Sequence, residues 1–245
     1  VAMTGDGVND IPALKAADCS IAMPGGAQAA RQIAQLSLLD GDFSAMPHIV
    51  GEGRRVINNI QRAATLFLVK NIFSLGLALI TSCTNWPYPM VPFHLSIISA
   101  LTIGVPSFFL AMEPNYERFS GHFLRGVLRK AFPGGLTNIF VVLMALAFMM
   151  VFGLPETQVS AVCTAILATV GLLVLFQTCK PFDKFRRLVW WAMAIALLGC
   201  FTLLGSFFEL QAGQISVKLV MAVLLIMTPT VFFAIQRVFD WGDKV

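Results

Sequence analysis

TGDGVND, at residues 4–10, is the stretch that decides the first part of the fold. A short apolar run at 1–3 precedes it, and an apolar pattern with helical spacing follows from 9 to 17. A strand, a glycine-rich turn and a helix in this order are typical of a parallel α/β sheet. In such a sheet the turn faces the crevice where ligands bind, so the stretch predicts a ligand site after the first strand.

The turn carries two carboxylates and one amide, on Asp6, Asp10 and Asn9. Gly5 and Gly7 allow backbone conformations and close approaches that a side chain would block. Mg²⁺ usually takes one or two protein carboxylates together with phosphate oxygens and water, so these residues indicate a magnesium-dependent phosphoryl-transfer site. The seven residues fit an alternative equally well, an Asp-Gly turn with a helix-capping Asp10, because turns and helix starts favour these residue types.

The same alternation of strand and helix continues to about residue 39. We expect a second strand at 19–23, a second helix at 27–35 and a third strand at 36–39. Elements of this length in this order indicate a parallel sheet with helices packed against it. Three strands are too few for a complete domain, and Val1 begins the sequence without a signal peptide, so we expect the chain to be part of a larger protein.

The composition excludes an ordinary soluble domain. Hydrophobic residues make up 57% of the 245 residues and charged residues 12%, against about 45–50% and about 25% in typical soluble domains. The five cysteines are scattered, which argues against a disulfide framework or a zinc site. The net charge is +4, but the basic residues lie between apolar runs rather than in one stripe, so we expect the lipid bilayer as a partner and no nucleic acid.

Six apolar stretches follow residue 62, each close to the roughly 20 residues that cross the hydrocarbon of a bilayer. The absence of proline between Pro47 and Pro87 predicts one long helix that includes the first stretch. The fourth stretch is the least clear, since Thr164, Thr169 and Gln177 dilute it. The predicted spans are 63–83, 93–112, 134–154, 157–178, 187–208 and 215–236.

The basic residues orient these spans. They are concentrated before the first span, after the second, after the fourth and after the sixth, whereas the alternate loops carry almost none. Short loops rich in lysine and arginine stay on the cytoplasmic side of a membrane. We therefore expect a multi-pass protein of the cell (plasma) membrane with both ends of the chain in the cytoplasm.

The stretch TGDGVNDIPALKAADCSIAM, at 4–23, closely resembles the hinge motif of P-type ATPases, within their haloacid-dehalogenase-like phosphorylation domain. GEGRRVINNI, at 51–60, resembles the link into the fifth transmembrane helix of that family. The resemblance implies the C-terminal portion of an α/β phosphorylation domain, followed by an all-α membrane domain of six transmembrane helices. The implied parts are a partial phosphorylation domain at 1–45, a cytoplasmic stalk helix at 46–62, a transmembrane domain at 63–237 and a cytoplasmic tail at 238–245.

The resemblance also implies roles for the residues of the turn. Asp6 is implied to be the Mg²⁺ ligand, while Asn9 and Asp10 position the acyl phosphate, with Gly5 and Gly7 beside the bound cofactor. The family's phosphorylated aspartate lies in a DKTGT motif that this sequence lacks, and its ATP is bound mainly by upstream domains. We therefore expect the chain to need an N-terminal half as its partner and not to hydrolyse ATP alone.

Polar residues inside the predicted spans are candidates for a transport site, because a bilayer disfavours them. In the first span these are Lys70, Asn71 and Ser74. Positions 70 and 74 share one helical face, and position 71 adjoins it. In the second span Thr102 precedes Pro106, which lacks an N–H and frees backbone carbonyls for a cation.

The resemblance sharpens this transport site. Asn71 matches a cation-coordinating position of the calcium- and sodium-pump branches, and residues 102–106 match a Thr-Asp-Gly-Leu-Pro pattern in which Ile103 replaces the aspartate. Ser74 replaces an acidic residue of calcium pumps, and Lys70 resembles lysines that act as built-in counter-cations. Two alternatives stay open: Lys70 extends to the cytoplasmic surface, and Asn71 only bonds neighbouring helices.

These observations predict an ATP-driven cation transporter, with Ca²⁺ as a candidate cargo because the second span resembles a bacterial branch for which calcium transport has been proposed. Translocation of a lipid or a polyamine by the same machinery is the alternative, which Lys70 and the missing aspartate favour. An incomplete, non-catalytic membrane subunit is a third hypothesis. Glu113 and Glu117 follow the second span, and we expect them to be solvated rather than to bind ions.

Overall fold

The computed structural model describes residues 1–40, 42–84, 86–119, 121–153, 155–203 and 215–241, with the backbone alone at 156 and 157. The contacts among these residues divide the chain into two units, Val1–Gly53 and Arg54–Val245. The first unit contains strands and short helices, and the second consists of long apolar helices.

A parallel three-stranded sheet, in the order β1-β2-β3, is the base of the first unit. Two short helices alternate with its strands. The elements are β1 (Ala2–Gly5), α1 (Ile11–Ala16), β2 (Cys19–Ala22), α2 (Gln28–Ile33) and β3 (Leu36–Ser37). The structure therefore confirms the predicted parallel α/β pattern.

The core of this unit is small and comes from both the sheet and the helices. Leu14 of α1, Ala30 of α2, and Ile21 and Ala22 of β2 are at most 1% exposed. The first helix is shorter than the predicted 9–17, because Val8–Asp10 forms a separate 3-10 turn. Pro12 lies in the first turn of α1, where its missing N–H costs no intrahelical hydrogen bond.

Within the described ranges, six helical segments are long and apolar enough to cross a membrane. The chain is therefore a multi-pass membrane protein, and the predicted number of spans is confirmed. The helices are α3 (Met46–Thr84), α4 (Pro92–Ser99) and α5 (Val105–Met112), which together form the second span, then α6 (Phe123–Phe152), α7 (Glu156–Thr178), α8 (Lys184–Leu203) and α9 (Ile215–Trp241).

The first helix agrees with the prediction, and the largest differences in boundaries are at the start of α6 and the end of α9. α3 is uninterrupted over its 39 residues, as the absence of proline predicted. α6 begins at Phe123, well before residue 134, because the helix continues through Pro133. α9 continues to Trp241, into the segment predicted as a tail, while 242–245 and the predicted end of the fifth span at 204–208 lie outside the described residues.

The fourth span, α7, is the most buried of the described spans, although its sequence was the least clear. It packs against α6, α9 and α4. Its threonine hydroxyls bond carbonyls one turn earlier on the same helix: Thr164 Oγ1 donates to Ser160 O at 2.6 Å and Thr169 Oγ1 to Ala165 O at 2.9 Å. Because these hydroxyls are satisfied within the helix, they do not weaken the span.

Two glycines let α6 and α7 approach their neighbours closely. A Cβ at Gly134 of α6 would lie 2.6 Å from Cγ2 of Val174, and a Cβ at Gly171 of α7 would lie 2.7 Å from Cγ2 of Thr102. Real Cβ atoms do not approach other heavy atoms this closely, so the packing of α6, α7 and the second span depends on the missing side chains.

We expect Gly134→Leu to destabilise the membrane unit by about 1–3 kcal/mol, the usual cost of overpacking a close-packed core. Gly199→Leu is the matched control, because a Cβ at Gly199 meets no atom within 4 Å. Thermal unfolding of the detergent-solubilised full-length protein measures both variants. Equal unfolding temperatures for the two variants would contradict the assigned packing.

Candidate functional site

The carboxylate of Asp10 holds the glycine-rich turn together. Its Oδ2 accepts the backbone N–H of Asp6 at 3.1 Å and that of Gly7 at 3.0 Å. The backbone N–H of Asp10 in turn donates to the carbonyl of Gly7 at 3.3 Å. Asp10 is thus placed to order the turn, a role that both the phosphoryl-transfer site and the simple capped turn require.

The carboxylate of Asp6 lies on the outside of this turn. Its residue is exposed, while its backbone is fixed, because the carbonyl of Asp6 accepts the N–H of Ala27 at 2.7 Å. Gly26 lies directly against it, since a Cβ at residue 26 would be 2.6 Å from the carbonyl oxygen of Asp6. The side chain of Asn9 is also exposed. Because its backbone is fixed and its side chain is exposed, the carboxylate of Asp6 is a suitable ligand for an ion at the end of β1.

The two glycines of the turn differ in what they require. A Cβ at Gly5 would lie 2.7 Å from Cβ of Asp10, so only glycine fits there. Gly7 has an extended backbone, with φ −98° and ψ 164°, and a Cβ there would meet its nearest atom at an ordinary 3.5 Å. Among the described residues, another atom therefore approaches Gly5 too closely for a side chain, as expected, whereas Gly7 has room for one. Gly26, whose packing against Asp6 depends on two segments meeting, was missed by the sequence analysis.

The donor set of the turn fits a Mg²⁺ ion that is only partly bound by protein. Mg²⁺ keeps several waters and commonly takes one or two carboxylates plus phosphate oxygens. Asp6 supplies one exposed carboxylate, while Oδ2 of Asp10 is engaged by two N–H groups. Among the described residues there is no group of three His, Cys, Asp or Glu side chains that could hold a metal alone.

A cavity of about 40 Å³ lies inside the membrane unit, between α3, the second span, α6 and α7. Its walls are mostly apolar, with four polar residues. The lining residues are Leu66, Val69, Lys70, Phe73, Leu95, Ile98, Ser99, Thr102, Ile103, Asn138, Leu167, Gly171 and Val174. None of these described lining residues is acidic, and one, Lys70, is basic.

A wide turn in the second span forms part of the cavity wall. Between α4 and α5 the chain makes a π-helical turn, Ala100–Gly104, in which the N–H of Val105 donates to the carbonyl of Ala100. Pro106 follows, and it has no N–H for the carbonyls of this turn. π-helical turns often occur at functional sites, and this one supports the expectation that Pro106 frees carbonyls.

The structure brings together two of the five predicted transport residues. Lys70 and Thr102 line the cavity, and Lys70 is half-buried. Asn71 is exposed on α3 and Ser74 is half-buried, and neither lines the cavity. Pro106 is buried and does not line the cavity. Their roles in transport stay predictions.

Ser99 and Asn138 complete the polar part of the cavity. Asn138 was missed by the sequence analysis, although it is a lone amide within the third apolar stretch. Two hydroxyls of the wall are bonded to their own helix, because Ser99 Oγ donates to Leu95 O at 2.6 Å and Thr102 Oγ1 to Ile98 O at 2.8 Å. With their protons so used, both hydroxyls can act only as acceptors toward a further partner.

Glu113 contradicts the expectation of a solvated side chain. Its carboxylate is 10% exposed and lies between Arg62 of α3, at 2.9 Å, and Arg186 of α8, at 2.7 Å. Both guanidinium groups are also buried. Glu113 is buried because the side chains of Arg62 and Arg186 contact its carboxylate. Glu117, four residues later, is exposed as expected. Burial raises the pKa of the neighbouring Cys179 thiol to about 11, so this residue stays uncharged at neutral pH.

Two asparagines of α3 bind the backbone of the segment that carries Glu113. Nδ2 of Asn59 donates to Ala111 O at 2.9 Å, and Nδ2 of Asn58 donates to Glu117 O at 2.9 Å. Asn59 is 8% exposed. Asn58 and Asn59 of the GEGRRVINNI run therefore hold the loop after the second span against α3.

Proteins named as cation-transporting ATPases align with most of this sequence. It is 36% identical over 246 aligned positions to a probable cation-transporting ATPase of Streptococcus pneumoniae, with 96% of this chain and 32% of that protein covered. It is 39% identical over 203 positions to the calcium-transporting ATPase CtpE of Mycolicibacterium smegmatis, with 77% and 26% covered. This chain is homologous to the C-terminal portion of bacterial P-type cation-transporting ATPases.

The chain spans a third or less of the length of these P-type ATPases. A more distant relative, the P-type sodium-transporting ATPase4 of Toxoplasma gondii, is 38% identical over 116 residues, which cover 47% of this chain and 9% of that protein. No protein-family model matches the chain. The homology agrees with the observed fold, a short parallel α/β segment followed by six apolar helices.

We expect Asp10→Ala to loosen the glycine-rich turn, since it removes the acceptor of two backbone hydrogen bonds that together contribute about 1–2 kcal/mol. Hydrogen–deuterium exchange of the peptide that contains the Asp6 and Gly7 amides should become faster. Asp6→Ala is the control, because its exposed carboxylate bonds neither amide. Unchanged exchange in Asp10→Ala would contradict the ordering role.

We expect Glu113→Gln to destabilise the membrane unit by about 3–5 kcal/mol, because it leaves two buried arginines without their counter-charge. Glu117→Gln, at an exposed position on the same loop, should change stability by less than about 0.5 kcal/mol. The unfolding temperatures of the two variants in detergent test this difference. A Glu113→Gln protein as stable as Glu117→Gln would show that the buried pairs contribute nothing.

Proposed function

We propose that this chain is the C-terminal part of an ATP-driven ion pump, which couples formation and hydrolysis of an aspartyl phosphate to cation transport across the cell membrane. The observation that carries the proposal is the exposed carboxylate of Asp6, held by a fixed backbone on a turn of a parallel sheet. The homology to cation-transporting ATPases supports the same reaction class.

At the phosphorylation site, the chain supplies part of the machinery. Asp6 is the ligand that would hold Mg²⁺ beside the phosphate, and the ion would neutralise the charge of the transferred group. Asp10 keeps the two backbone amides of the turn in place, and Asn9 presents an exposed amide beside them. The phosphorylated aspartate and most of the ATP site belong to an N-terminal half outside this chain.

The cavity in the membrane unit is the proposed position of the cargo. About 40 Å³ accommodates a small cation with a few waters at most, since a water needs roughly 10–15 Å³ of such space. A lipid headgroup or a polyamine is much larger than the part of the cavity that this chain forms. This part of the cavity therefore has room for a small metal cation, the cargo that we propose.

Calcium is the cargo that we favour, because relatives of this chain are named calcium-transporting ATPases. Ca²⁺ accepts hydroxyl, amide and carbonyl oxygens as ligands, which are the groups that the cavity wall offers. Lys70, the one basic group of the wall in the described chain, would enter the cavity as a counter-cation once Ca²⁺ has left. Following the placement of basic loops, we assign both ends of the chain to the cytoplasm.

A phosphorylation assay of the full-length protein tests this function. With Mg²⁺ and ATP, we expect an acid-stable phosphoenzyme whose formation depends on Ca²⁺, and Asp6→Ala should reduce it by about 100-fold or more. Asp18→Ala, at an exposed acidic residue of the same unit, is the matched control and should leave it unchanged. Formation independent of Asp6 would contradict its role.

A panel of cations, phospholipids and polyamines added to the same assay identifies the cargo. Lys70→Ala should change the cation dependence while leaving the unfolding temperature in detergent nearly unchanged. Stimulation by a phospholipid or a polyamine alone would support the alternative cargo. A full-length protein stimulated by no cation would contradict cation transport.

A further inference from the structure

Asn138, in the middle of α6, is an unusual residue for the interior of a membrane protein. It is 4% exposed, and its side-chain oxygen Oδ1 has no hydrogen-bond partner among the described residues. A buried amide oxygen without a partner lowers stability, whereas leucine would fill a similar space without that cost. The position therefore needs an explanation other than packing.

Three buried side-chain atoms of the described chain lack a partner, and their surroundings distinguish them. They are Oδ1 of Asn59, Oγ of Ser107 and Oδ1 of Asn138. Asn59 still donates through its Nδ2 to the loop backbone, and neither Asn59 nor Ser107 lines the cavity. Asn138 lines it, together with Lys70, Ser99 and Thr102.

The packing of α6 explains how Asn138 reaches the cavity. Gly134 and Gly135 lie one turn before it on the same helical face. A Cβ at Gly134 would lie 2.6 Å from Val174 of α7, and a Cβ at Gly135 would lie 2.5 Å from Ile72 of α3. The two glycines thus bring the backbone of α6 against both neighbours, next to the cavity that Asn138 lines.

The chemistry of the wall identifies the kind of ligand. The hydroxyl protons of Ser99 and Thr102 are donated to backbone carbonyls, so these side chains offer oxygen lone pairs. Asn138 lines the same cavity and has an amide oxygen without a partner. Lys70 is the one charged group that the described chain brings to this wall, and the three neutral oxygens suit a small cation that takes the place of its ammonium.

We propose that Asn138 binds the transported cation directly, as a ligand supplied by the third membrane helix of this chain together with Ser99 and Thr102. The proposal rests on the proposed function, since it concerns the cargo of that pump. It adds α6 to the helices that form the site and explains why an amide stands at a buried position of α6. It also gives Lys70 a competitor, because the ammonium and the cation would use the same oxygen.

Asn138→Leu in the full-length protein tests the proposal, with Ca²⁺ or the cation that stimulates the wild-type protein most. We expect the concentration for half-maximal phosphoenzyme formation to rise by about tenfold or more, the effect of losing a bond to a charged group. The rise in unfolding temperature that the cation causes should become smaller. Without the cation, the unfolding temperature should be unchanged or higher, because the buried oxygen without a partner is gone.

Thr137→Val is the matched control on the same helix. Thr137 is fully buried, but its hydroxyl donates to Pro133 O at 2.6 Å and it does not line the cavity. This variant should keep the wild-type cation concentration. Asn138→Ser, which retains a shorter oxygen ligand, should give an intermediate shift and provides the comparison if Asn138→Leu does not fold.

Two results would overturn the proposal while leaving the proposed function intact. One is a cation dependence of Asn138→Leu equal to that of the wild type, which would mean that Asn138 holds only a structural water. The other is a combination of two measurements on Asn138→Leu: its unfolding temperature without the cation is lower than that of the wild type, and its cation dependence is shifted no more than that of Thr137→Val. That combination would mean that Asn138 has only a packing role. A wild-type protein that responds to no cation would overturn the proposal and the proposed function together.

Discussion

The hydrocarbon of a bilayer offers no water, so every polar group of the six spans must find its partner within the protein. Most described hydroxyls of the spans meet this constraint in the same way, by donating to a carbonyl one turn earlier. Thr65, Thr81, Thr164 and Thr228 are examples. Three charged groups at the end of the second span meet it differently, through contacts between segments that are far apart in the sequence. Arg62 and Arg186 both bond Glu113, and the pairs tie three segments of the membrane unit together.

Buried polar atoms that do not meet this constraint are therefore informative. Where a polar group is buried and lacks a partner, the structure carries a cost that packing does not explain. Asn138 is such a group, and it lies in the wall of the cavity where Lys70 and Thr102 also meet. The proposed cation site thus includes one of the three buried side-chain atoms of the described residues that lack a partner.

The parts of the structure that could be predicted from the sequence are those with local causes. The strand–turn–helix order after residue 1 and the length of the apolar stretches each depend on neighbouring residues, and both were confirmed. The fourth span looked weak because its threonines were counted as polar, although a helix satisfies them internally. Thr102 and Lys70 were predicted because they interrupt apolar stretches; both line the cavity, and their roles in transport stay predictions.

The parts that could not be predicted depend on contacts between distant segments. Glu113 was expected in solvent because it follows the second span at the cytoplasmic boundary, and nothing local shows that Arg62 and Arg186 approach it. Gly26 gave no signal, because its packing against Asp6 exists only after the sheet has formed. Asn138 interrupts an apolar stretch as Lys70 does, but a lone amide does not reveal whether its helix neighbours will satisfy it.

The carboxylate of Glu113 has a mechanical consequence. It joins α3, the end of α5 and the start of α8 at one point, through bonds that are strong because they are charged and buried. While those bonds hold, none of the three helices can slide along another at that end. If one of these helices tilts against another, the Glu113 carboxylate is the point about which it turns. The displacement of the helix then increases with distance from Glu113 and is largest at its opposite end.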